Sequence, residues 1–334
     1  METRTGAVFE YLRLSVTDRC NLRCVYCMPA TGVPKLDHAQ VLRYEEILTI
    51  VRAAVAEGVF RVRITGGEPL VRRDLAGFVS SLAEISEISD LALTTNGILL
   101  EQFAQSLVNA GLKRVNISLD SLKPDRFRAM TRGGDINAVL RGIDAAIAAG
   151  LTPVKINVVL MPGENEDEVF DFSELVVRKA VHVRFIERMP FSGAFHDEKT
   201  PAVDEGISET PATMFVSQEN LMRRLSERFT LVADPESAAG GPAQMYALSE
   251  SPGRIGFISS RTNPFCRRCN RLRLTASGIL LPCLDSERGA GVRGLSEVEV
   301  RAVIQHLAEE KRAAGKGCAE FRHSACRSLS DIGG

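Results

Sequence analysis

The sequence predicts an α/β protein in which six βα units build a parallel sheet. Short Val- and Ile-rich runs, which are typical of buried strands, are bounded by turn residues. They begin near Leu12, Val62, Leu91, Val115, Val154 and Val183. The segments between them place apolar residues at helical spacing. Strands that alternate with helices form parallel sheets with right-handed crossovers, and six units are too few for a closed eight-stranded barrel.

The predicted helices follow the strands in order. In the first, Ile47, Ile50, Val51, Ala54 and Val55 share one face. The others cover residues 75–85, 103–110, 139–149 and 169–177. After the sixth strand, residues 190–213 are rich in Pro, Gly, Ser and acids, which predicts an insertion or surface loop. An amphipathic segment follows at residues 218–228.

The chain is predicted to contain two domains. Residues 1–230 form the βα domain, including the insertion at 190–213. Residues 231–334 form a smaller α+β domain with short strands. Within it, Ser296 and Glu299 have the spacing of a capping box, which predicts a helix that continues to about Arg312.

Composition and charge exclude several classes of protein. The 334 residues carry a net charge of −1, which predicts neither nucleic-acid binding nor attachment to a membrane surface. No apolar run approaches the roughly 18 residues of a membrane span, and the N-terminus lacks the pattern of a secretory signal. A cytoplasmic location is therefore expected, where cysteines serve metal binding or catalysis rather than disulfides.

Two cysteine trios are the strongest chemical signal. Cys20, Cys24 and Cys27 have the spacing C-x3-C-x2-C, and Cys266, Cys269 and Cys283 have the spacing C-x2-C-x13-C. A 4Fe–4S cluster usually takes four thiolates, so each trio would leave one iron open to bind a small molecule. For the second trio, a structural zinc site completed by a histidine is the alternative.

Other polar motifs follow the strands. Gly66–Pro69 comes after the second strand, Thr94–Gly97 after the third, and Ser118 and Asp120 close the fourth. Active sites of βα barrels lie at the carboxyl ends of their strands. Taken singly, each of these residues is an ordinary turn residue, but their repetition at matching ends predicts a site.

Cations on the predicted strands point to an anionic ligand. Arg271 and Arg273 occupy alternate positions, which place them on one side of an extended segment. Arg13, Arg61, Arg63 and Lys155 lie on other strands. Guanidinium groups bind phosphate in a bidentate manner, although a strand-borne arginine is often a paired edge residue. Together these cations would focus positive potential, which suits a polyphosphate substrate.

These motifs resemble known families. The first trio, with Tyr26 before its last cysteine, and Gly66–Pro69 resemble the radical S-adenosylmethionine (SAM) superfamily. Residues 13–29, 63–70, 94–97, 116–120, 266–283 and the final Gly333–Gly334 together resemble the GTP 3′,8-cyclase family of molybdenum cofactor biosynthesis. The resemblance implies an open partial (β/α)6 barrel of the TIM type, followed by a C-terminal domain that carries a second iron–sulfur cluster.

The resemblance also implies a reaction. Two 4Fe–4S clusters and SAM would be the cofactors, and the 5′-deoxyadenosyl radical would abstract the 3′ hydrogen of GTP. The carbon radical then adds to C-8 of guanine, giving (8S)-3′,8-cyclo-7,8-dihydroguanosine 5′-triphosphate. The implied partners are a flavodoxin- or ferredoxin-like electron donor and a downstream cyclic pyranopterin monophosphate synthase. The chain itself would be a monomer or homodimer.

Residue roles are carried over by matching positions. Cys20, Cys24 and Cys27 would hold the SAM cluster, and Cys266, Cys269 and Cys283 the second. The SAM contacts would be Tyr26, Gly67, Ser118 and Met189. The GTP contacts would be Arg13, Arg63, Thr94, Lys155, Arg271, Leu272 and Arg273, and the catalytic set Arg271, Arg273, Gly333 and Gly334.

The chain departs from the family pattern at Arg61, where a lysine is common, and in the length of the 190–213 stretch. Cys318 and Cys326 lie outside both trios and are expected to be free thiols. Two alternatives are a radical SAM enzyme that modifies a peptide and a non-catalytic zinc or iron–sulfur module. The arginine pair and the Gly-Gly end speak against the first, and the Gly66–Pro69 element and the βα pattern against the second.

Overall fold

Six parallel strands form the centre of the fold, as the sequence predicts. The computed structural model describes residues 7–189, 216–234, 241–249, 251–284, 286 and 288–313. The central strands are β1 (Tyr11–Ser15), β2 (Arg61–Thr65), β3 (Asp90–Thr95), β4 (Arg114–Ser118), β5 (Val154–Leu160) and β6 (Val181–Glu187). They lie side by side in chain order and every neighbouring pair is parallel. The predicted α/β class is confirmed.

Helices connect these strands. They are α1 (Tyr44–Ala56), α2 (Leu75–Ala83), α3 (Leu100–Asn109), α4 (Pro124–Thr131), α5 (Ile136–Ala148) and α6 (Val169–Arg178). The predicted segments match all of these except α4, which sequence analysis missed. That helix buries few apolar side chains, chiefly Phe127 and Met130, so its pattern is weak. No helix in the described ranges is long and apolar enough to cross a membrane.

The C-terminal part adds α7 (Gln218–Leu225) and α8 (Glu297–Ala313). The predicted capping box opens α8: the Ser296 amide donates to Glu299 Oε2 at 2.8 Å, and the Glu299 amide donates to Ser296 Oγ at 3.4 Å. The short strands are β7 (Leu231–Ala233), β8 (Gln244–Leu248), β9 (Arg254–Ile258), β10 (Arg271–Leu274), β11 (Ile279–Leu281) and β12 (Ala290–Gly291). The predicted domain boundary at residues 230/231 falls just before β7.

These short strands extend both edges of the central sheet. β9 pairs in parallel with β6, and β10 pairs in parallel with β1. The described strands thus form one sheet in the order β12-β11-β10-β1-β2-β3-β4-β5-β6-β9-β8-β7. Edge strands expose unpaired backbone groups, and the C-terminal strands satisfy them. The chain from β9 to β10, which carries Cys266 and Cys269, therefore runs from one edge of the parallel sheet to the other.

The two faces of the sheet differ in chemistry. Leu12, Val62 and Leu272 share one register row and are fully buried in the hydrophobic core. In the next register row, Arg13 of β1 lies beside Arg63 of β2 and beside Arg273 of β10. Because strand side chains alternate in direction, the second row faces away from the core. The sheet register thus gathers the predicted cations on one face.

Candidate functional site

A cavity of about 850 Å³ lies on that polar face and brings both cysteine segments together. Most of the predicted site residues line it. They are Arg13, Cys20, Cys24, Tyr26, Cys27, Arg63, Gly67, Thr94, Ser118, Lys155, Met189, Cys269, Arg271 and Arg273. Residues from strands β1 to β6 and from β10 therefore converge on one space. The cysteine loop and Gly67 lie at the carboxyl ends of the strands, as expected, whereas Lys155 and Arg271 lie near the starts of theirs.

A few predicted residues lie elsewhere. Leu272 is fully buried in the hydrophobic core, so its side chain is directed away from the cavity. Cys266 and Cys283 are half-buried and are not among the lining residues. Cys266 shares a short 3-10 turn with Cys269, whose amide donates to the Cys266 carbonyl at 3.1 Å. Gly333, Gly334, Cys318, Cys326 and the 190–213 stretch lie outside the described residues.

The loop of the first trio is fixed by hydrogen bonds at both ends. The Cys27 amide donates to the Cys24 carbonyl at 2.9 Å. Arg132 Nη1 donates to the carbonyls of Arg23 and Met28, at 3.0 and 2.9 Å. One guanidinium therefore spans the C-x2-C turn. These hydrogen bonds hold the backbone of the cysteine-bearing loop in place.

The Gly66–Pro69 segment packs directly on the backbone that precedes the first trio. The Gly67 amide donates to the Thr17 carbonyl at 2.7 Å, and the Glu68 amide donates to the Arg19 carbonyl at 2.8 Å. A Cβ added at Gly67 would lie 2.3 Å from the Arg19 oxygen. Only glycine permits this approach. The second motif is thereby joined to the first.

Two buried carboxyl groups face the first trio. Glu68 accepts hydrogen bonds from Thr95 Oγ1 and the Asn96 amide, both at 2.7 Å, and burial raises its pKa to about 7. Asp120 accepts from Tyr26 Oη and the Val159 amide, both at 2.8 Å, and burial raises its pKa to about 6. Burial and the nearby Asp120 also raise the pKa of the Cys24 thiol well above its ordinary value.

The surroundings of the first trio suit a positively charged group. Burial raises the pKa values of the Cys20 and Cys24 thiols and of the Glu68 and Asp120 carboxyl groups, because neighbouring groups compensate their negative forms only in part. Iron ions, together with the sulfonium and amino groups of SAM, would supply that compensation. Among the described residues, no three His, Cys, Asp or Glu side chains converge on a single metal ion. A cubane cluster needs no such convergence, because each thiolate binds a different iron.

Positive charge is concentrated along the register row of Arg13, Arg63 and Arg273, here called the arginine row. Burial, reinforced by neighbouring cations, lowers the pKa of Lys155 to about 7, that of Arg184 to about 9 and that of Arg273 to about 10. Arg184 donates through Nη2 to Asn116 Oδ1 at 2.7 Å. Arg61, the departure from the family pattern, lies with its guanidinium 4.9 Å from the Phe60 ring centroid and also lines the cavity.

Several buried polar atoms of the cavity wall have no hydrogen-bond partner among the described residues. Within the described residues, Arg63 Nε, Thr94 Oγ1, Asn157 Oδ1, Arg184 Nε and Ser260 Oγ are buried and have no hydrogen-bond partner. Buried polar groups are normally satisfied. All five residues line the cavity. A ligand that carries both anionic and neutral polar groups would satisfy them, which matches the chemistry of a nucleotide.

Sequence analysis missed some of these residues. Asn157 follows Lys155 by two positions on β5, and Arg184 pairs with it in register on β6. The period-two pattern that identified the other cations could have indicated both. Glu187, at the end of β6, accepts from the Arg261 and Thr262 amides at 2.9 and 3.1 Å. It thereby anchors the segment that leads to Cys266, a contact with no local sequence signal.

Two family models cover most of the chain. The model of the Radical SAM superfamily matches residues 14–176, which include the first trio and strands β2 to β5. The model described as Molybdenum Cofactor Synthesis C matches residues 181–316, which include the second trio.

Curated relatives match over nearly the full length. The chain is 46% identical over 329 residues to the GTP 3′,8-cyclase of Moorella thermoacetica, with 97% of each chain covered. It is 46% identical over 330 residues to the GTP 3′,8-cyclase of Heliobacterium modesticaldum, again with 97% of each covered. This level of identity over both domains is far more than a shared motif.

Solved structures share the fold at low identity. Streptococcus suis SuiB bound to S-adenosylmethionine matches with a TM-score of 0.59 and 13% identity, over 85% of this chain and 63% of that chain. The AdoMet-bound protein anSMEcpe matches with a TM-score of 0.55 and 15% identity, over 90% of this chain and 82% of that one. Both support the α/β architecture of an open parallel sheet.

Proposed function

This chain belongs to the GTP 3′,8-cyclase family of radical SAM enzymes, and we propose that it cyclises GTP in the cavity between its two cysteine trios. The product would be (8S)-3′,8-cyclo-7,8-dihydroguanosine 5′-triphosphate, which enters molybdenum cofactor biosynthesis. One observation carries the proposal: cysteines of both trios and a row of buried cations line the same 850 Å³ space.

We assign the cofactor roles to the residues near the first trio. Cys20, Cys24 and Cys27 would hold one 4Fe–4S cluster, and Tyr26, Gly67, Ser118 and Met189 would contact SAM. When bound, the reduced cluster and SAM supply a 5′-deoxyadenosyl radical that takes a hydrogen atom from the substrate. The chain itself orients the loop through Arg132. Cys266, Cys269 and Cys283 would hold the second cluster.

We assign GTP binding to the cationic wall. Arg13, Arg63, Lys155, Arg271 and Arg273 would neutralise the triphosphate, and Thr94 Oγ1 would contribute a hydrogen bond. Guanidinium groups match phosphate geometry. Leu272 would contribute through its backbone only, because its side chain belongs to the core. The catalytic roles of Gly333 and Gly334 remain proposals that rest on the family resemblance.

The reaction implies partners. A flavodoxin- or ferredoxin-like protein would deliver the electron, and a cyclic pyranopterin monophosphate synthase would consume the product. A cytoplasmic location would suit both. We also propose that the chain divides into two domains at residues 230/231 and that it is a monomer or a homodimer.

Anaerobic reconstitution tests the proposal. The full chain, given iron and sulfide, is expected to bind about eight irons, because each cubane cluster holds four. With SAM, a reductant and GTP, mass spectrometry should detect the cyclised triphosphate and 5′-deoxyadenosine. Cys24→Ala should abolish SAM cleavage while it retains the second cluster, and Cys269→Ala should spare some SAM cleavage without cyclised product.

The outcomes separate the alternatives. Protein that takes up only zinc, or a Cys269→Ala variant with full cyclase activity, would contradict the two-cluster proposal. SAM cleavage that proceeds equally with or without GTP, and yields no cyclised nucleotide, would favour a peptide substrate instead.

A further inference from the structure

Lys311 is a buried cation to which the proposed function assigns no role. It lies in the last turn of α8, with only 5% of its surface exposed. The other buried residues of that helix are Val300, Ile304 and Leu307. Lys311 continues their i, i+4, i+7, i+11 spacing, so a lysine occupies a position where the pattern calls for an apolar residue. Burying a cation there requires compensating contacts.

Its contacts converge on the second trio. Lys311 Nζ donates to the Pro282 carbonyl at 3.0 Å and to the Arg271 carbonyl at 3.2 Å, and it lies 4.0 Å from Cys269 Sγ. Pro282 precedes Cys283, and Arg271 follows Cys269 by two residues. One ammonium group thus joins the two segments that carry these cysteines. The Phe9 ring, whose centroid is 4.9 Å from Nζ, covers it.

We propose that Lys311 is a positioning residue for the second cluster: it holds the Cys269 and Cys283 segments together and donates a hydrogen bond to the Cys269 sulfur. The inference rests on the proposed function, since it requires a cluster at the second trio. An ammonium has three N–H donors. The two carbonyls use two of them, and the third is available to the Cys269 sulfur, 4.0 Å from Nζ.

The proposal has an electronic consequence. Hydrogen bonds to cysteine sulfurs and nearby positive charge help to set the reduction potential of iron–sulfur clusters. A reduced cluster carries one more negative charge than an oxidised one, so a cation beside its ligand stabilises the reduced form. Lys311 therefore raises the reduction potential of the second cluster, and its removal lowers it.

The test compares Lys311→Met with the parent chain. Methionine keeps much of the stem and removes the charge and the donors, and Lys311→Gln removes the charge while it keeps a donor. Lys113→Met removes a cation from an exposed position outside the cavity and serves as control. Each variant is made in two backgrounds. One is the full chain with Cys24→Ala, in which only the second cluster is titrated, and the other is the otherwise unaltered holoenzyme. Iron content, midpoint potential by electron paramagnetic resonance, thermal unfolding and GTP affinity are measured.

We expect Lys311→Met to lower the midpoint potential of the second cluster or to reduce its occupancy, with Lys311→Gln intermediate and Lys113→Met unchanged. Full occupancy at the parent potential in Lys311→Met would overturn the inference. So would a loss of GTP affinity at unchanged potential, which would make Lys311 a ligand contact, or a failure of both Lys311 variants to fold. A parent protein without a cluster at the second trio would instead refute the proposed function.

Discussion

Replacing Gly67 with alanine tests the close approach between the two motifs. The added Cβ would lie 2.3 Å from the Arg19 carbonyl oxygen and 2.5 Å from its carbon. Both are backbone atoms, so no side-chain rotation relieves the overlap. The segments must separate, which weakens the two hydrogen bonds to Thr17 and Arg19. Overpacking of about 1–3 kcal/mol and partial loss of two bonds worth about 0.5–1.5 kcal/mol each lower the free energy of unfolding by roughly 2–4 kcal/mol.

Thermal unfolding of the metal-free full chain measures this effect. At roughly 2 °C per kcal/mol for a chain of this size, Tm should fall by about 4–8 °C. Because Gly66 and Gly67 also line the cavity in which we propose that SAM binds, SAM affinity of the reconstituted protein should fall as well. Gly291→Ala is the matched control: no atom lies within 4 Å of the added Cβ, and its effect should stay within about 0.5 kcal/mol. A Gly67→Ala protein that unfolds and binds SAM like the parent would refute the reasoning.

Further predictions concern the nucleotide. Arg273→Ala should weaken GTP binding by about 1.5–3 kcal/mol, because a charged hydrogen bond to phosphate is lost; guanosine binding, measured in the same dialysis experiment, should change little. Lys155, with a pKa of about 7, is mostly neutral at pH 8. A bound triphosphate raises that pKa, so the complex takes up a proton and affinity falls as the pH rises above 7. Calorimetry at pH 8 in two buffers of different ionisation enthalpy should detect this uptake in the parent and not in Lys155→Met. Deletion of Gly333 and Gly334 should leave SAM affinity intact and sharply reduce cyclised product; a truncated chain with the parent rate would show both glycines to be dispensable.

The central strands could be predicted from the sequence because their signal is local. Each of the six is a short apolar run next to a turn, and the structure places all six where the runs begin. Helix α4 lacked such a signal, since only a few of its side chains, such as Phe127 and Met130, are buried. The pairing of β10 with β1 was not predictable either. It joins residues such as Arg13 and Arg273 that are far apart in the chain, and local periodicity carries no information on strand partners.

The residues of the site, like the strands, could be predicted only where their sequence signal is local. Cysteine spacing and strand-end motifs are local, so they could indicate the first trio, Gly67 and Ser118, which all line one cavity. Arg184 and Lys311 were missed for different reasons. For Arg184 the period-two pattern along its strand was available but was not applied, and the register between β5 and β6 places it beside Asn157. Lys311 lies near a helix end, where a lysine is ordinarily solvated and favoured by the helix dipole, and only tertiary packing buries it.

Buried carboxyl groups lie beside the first trio and buried guanidinium groups lie along the arginine row, and we expect this difference to orient the proposed ligands. Around Cys24, burial and Asp120 disfavour negative charge, which raises the pKa of the thiol. Around Arg273, burial and Arg271 disfavour positive charge, which lowers the pKa of the guanidinium. In the proposed complex, a cationic sulfonium beside the first trio and a triphosphate beside the arginine row would relieve both penalties. Exchanging the two ligands would add like charge to each place. We therefore expect the chain to favour the orientation that places SAM beside the first trio and the triphosphate beside the arginine row.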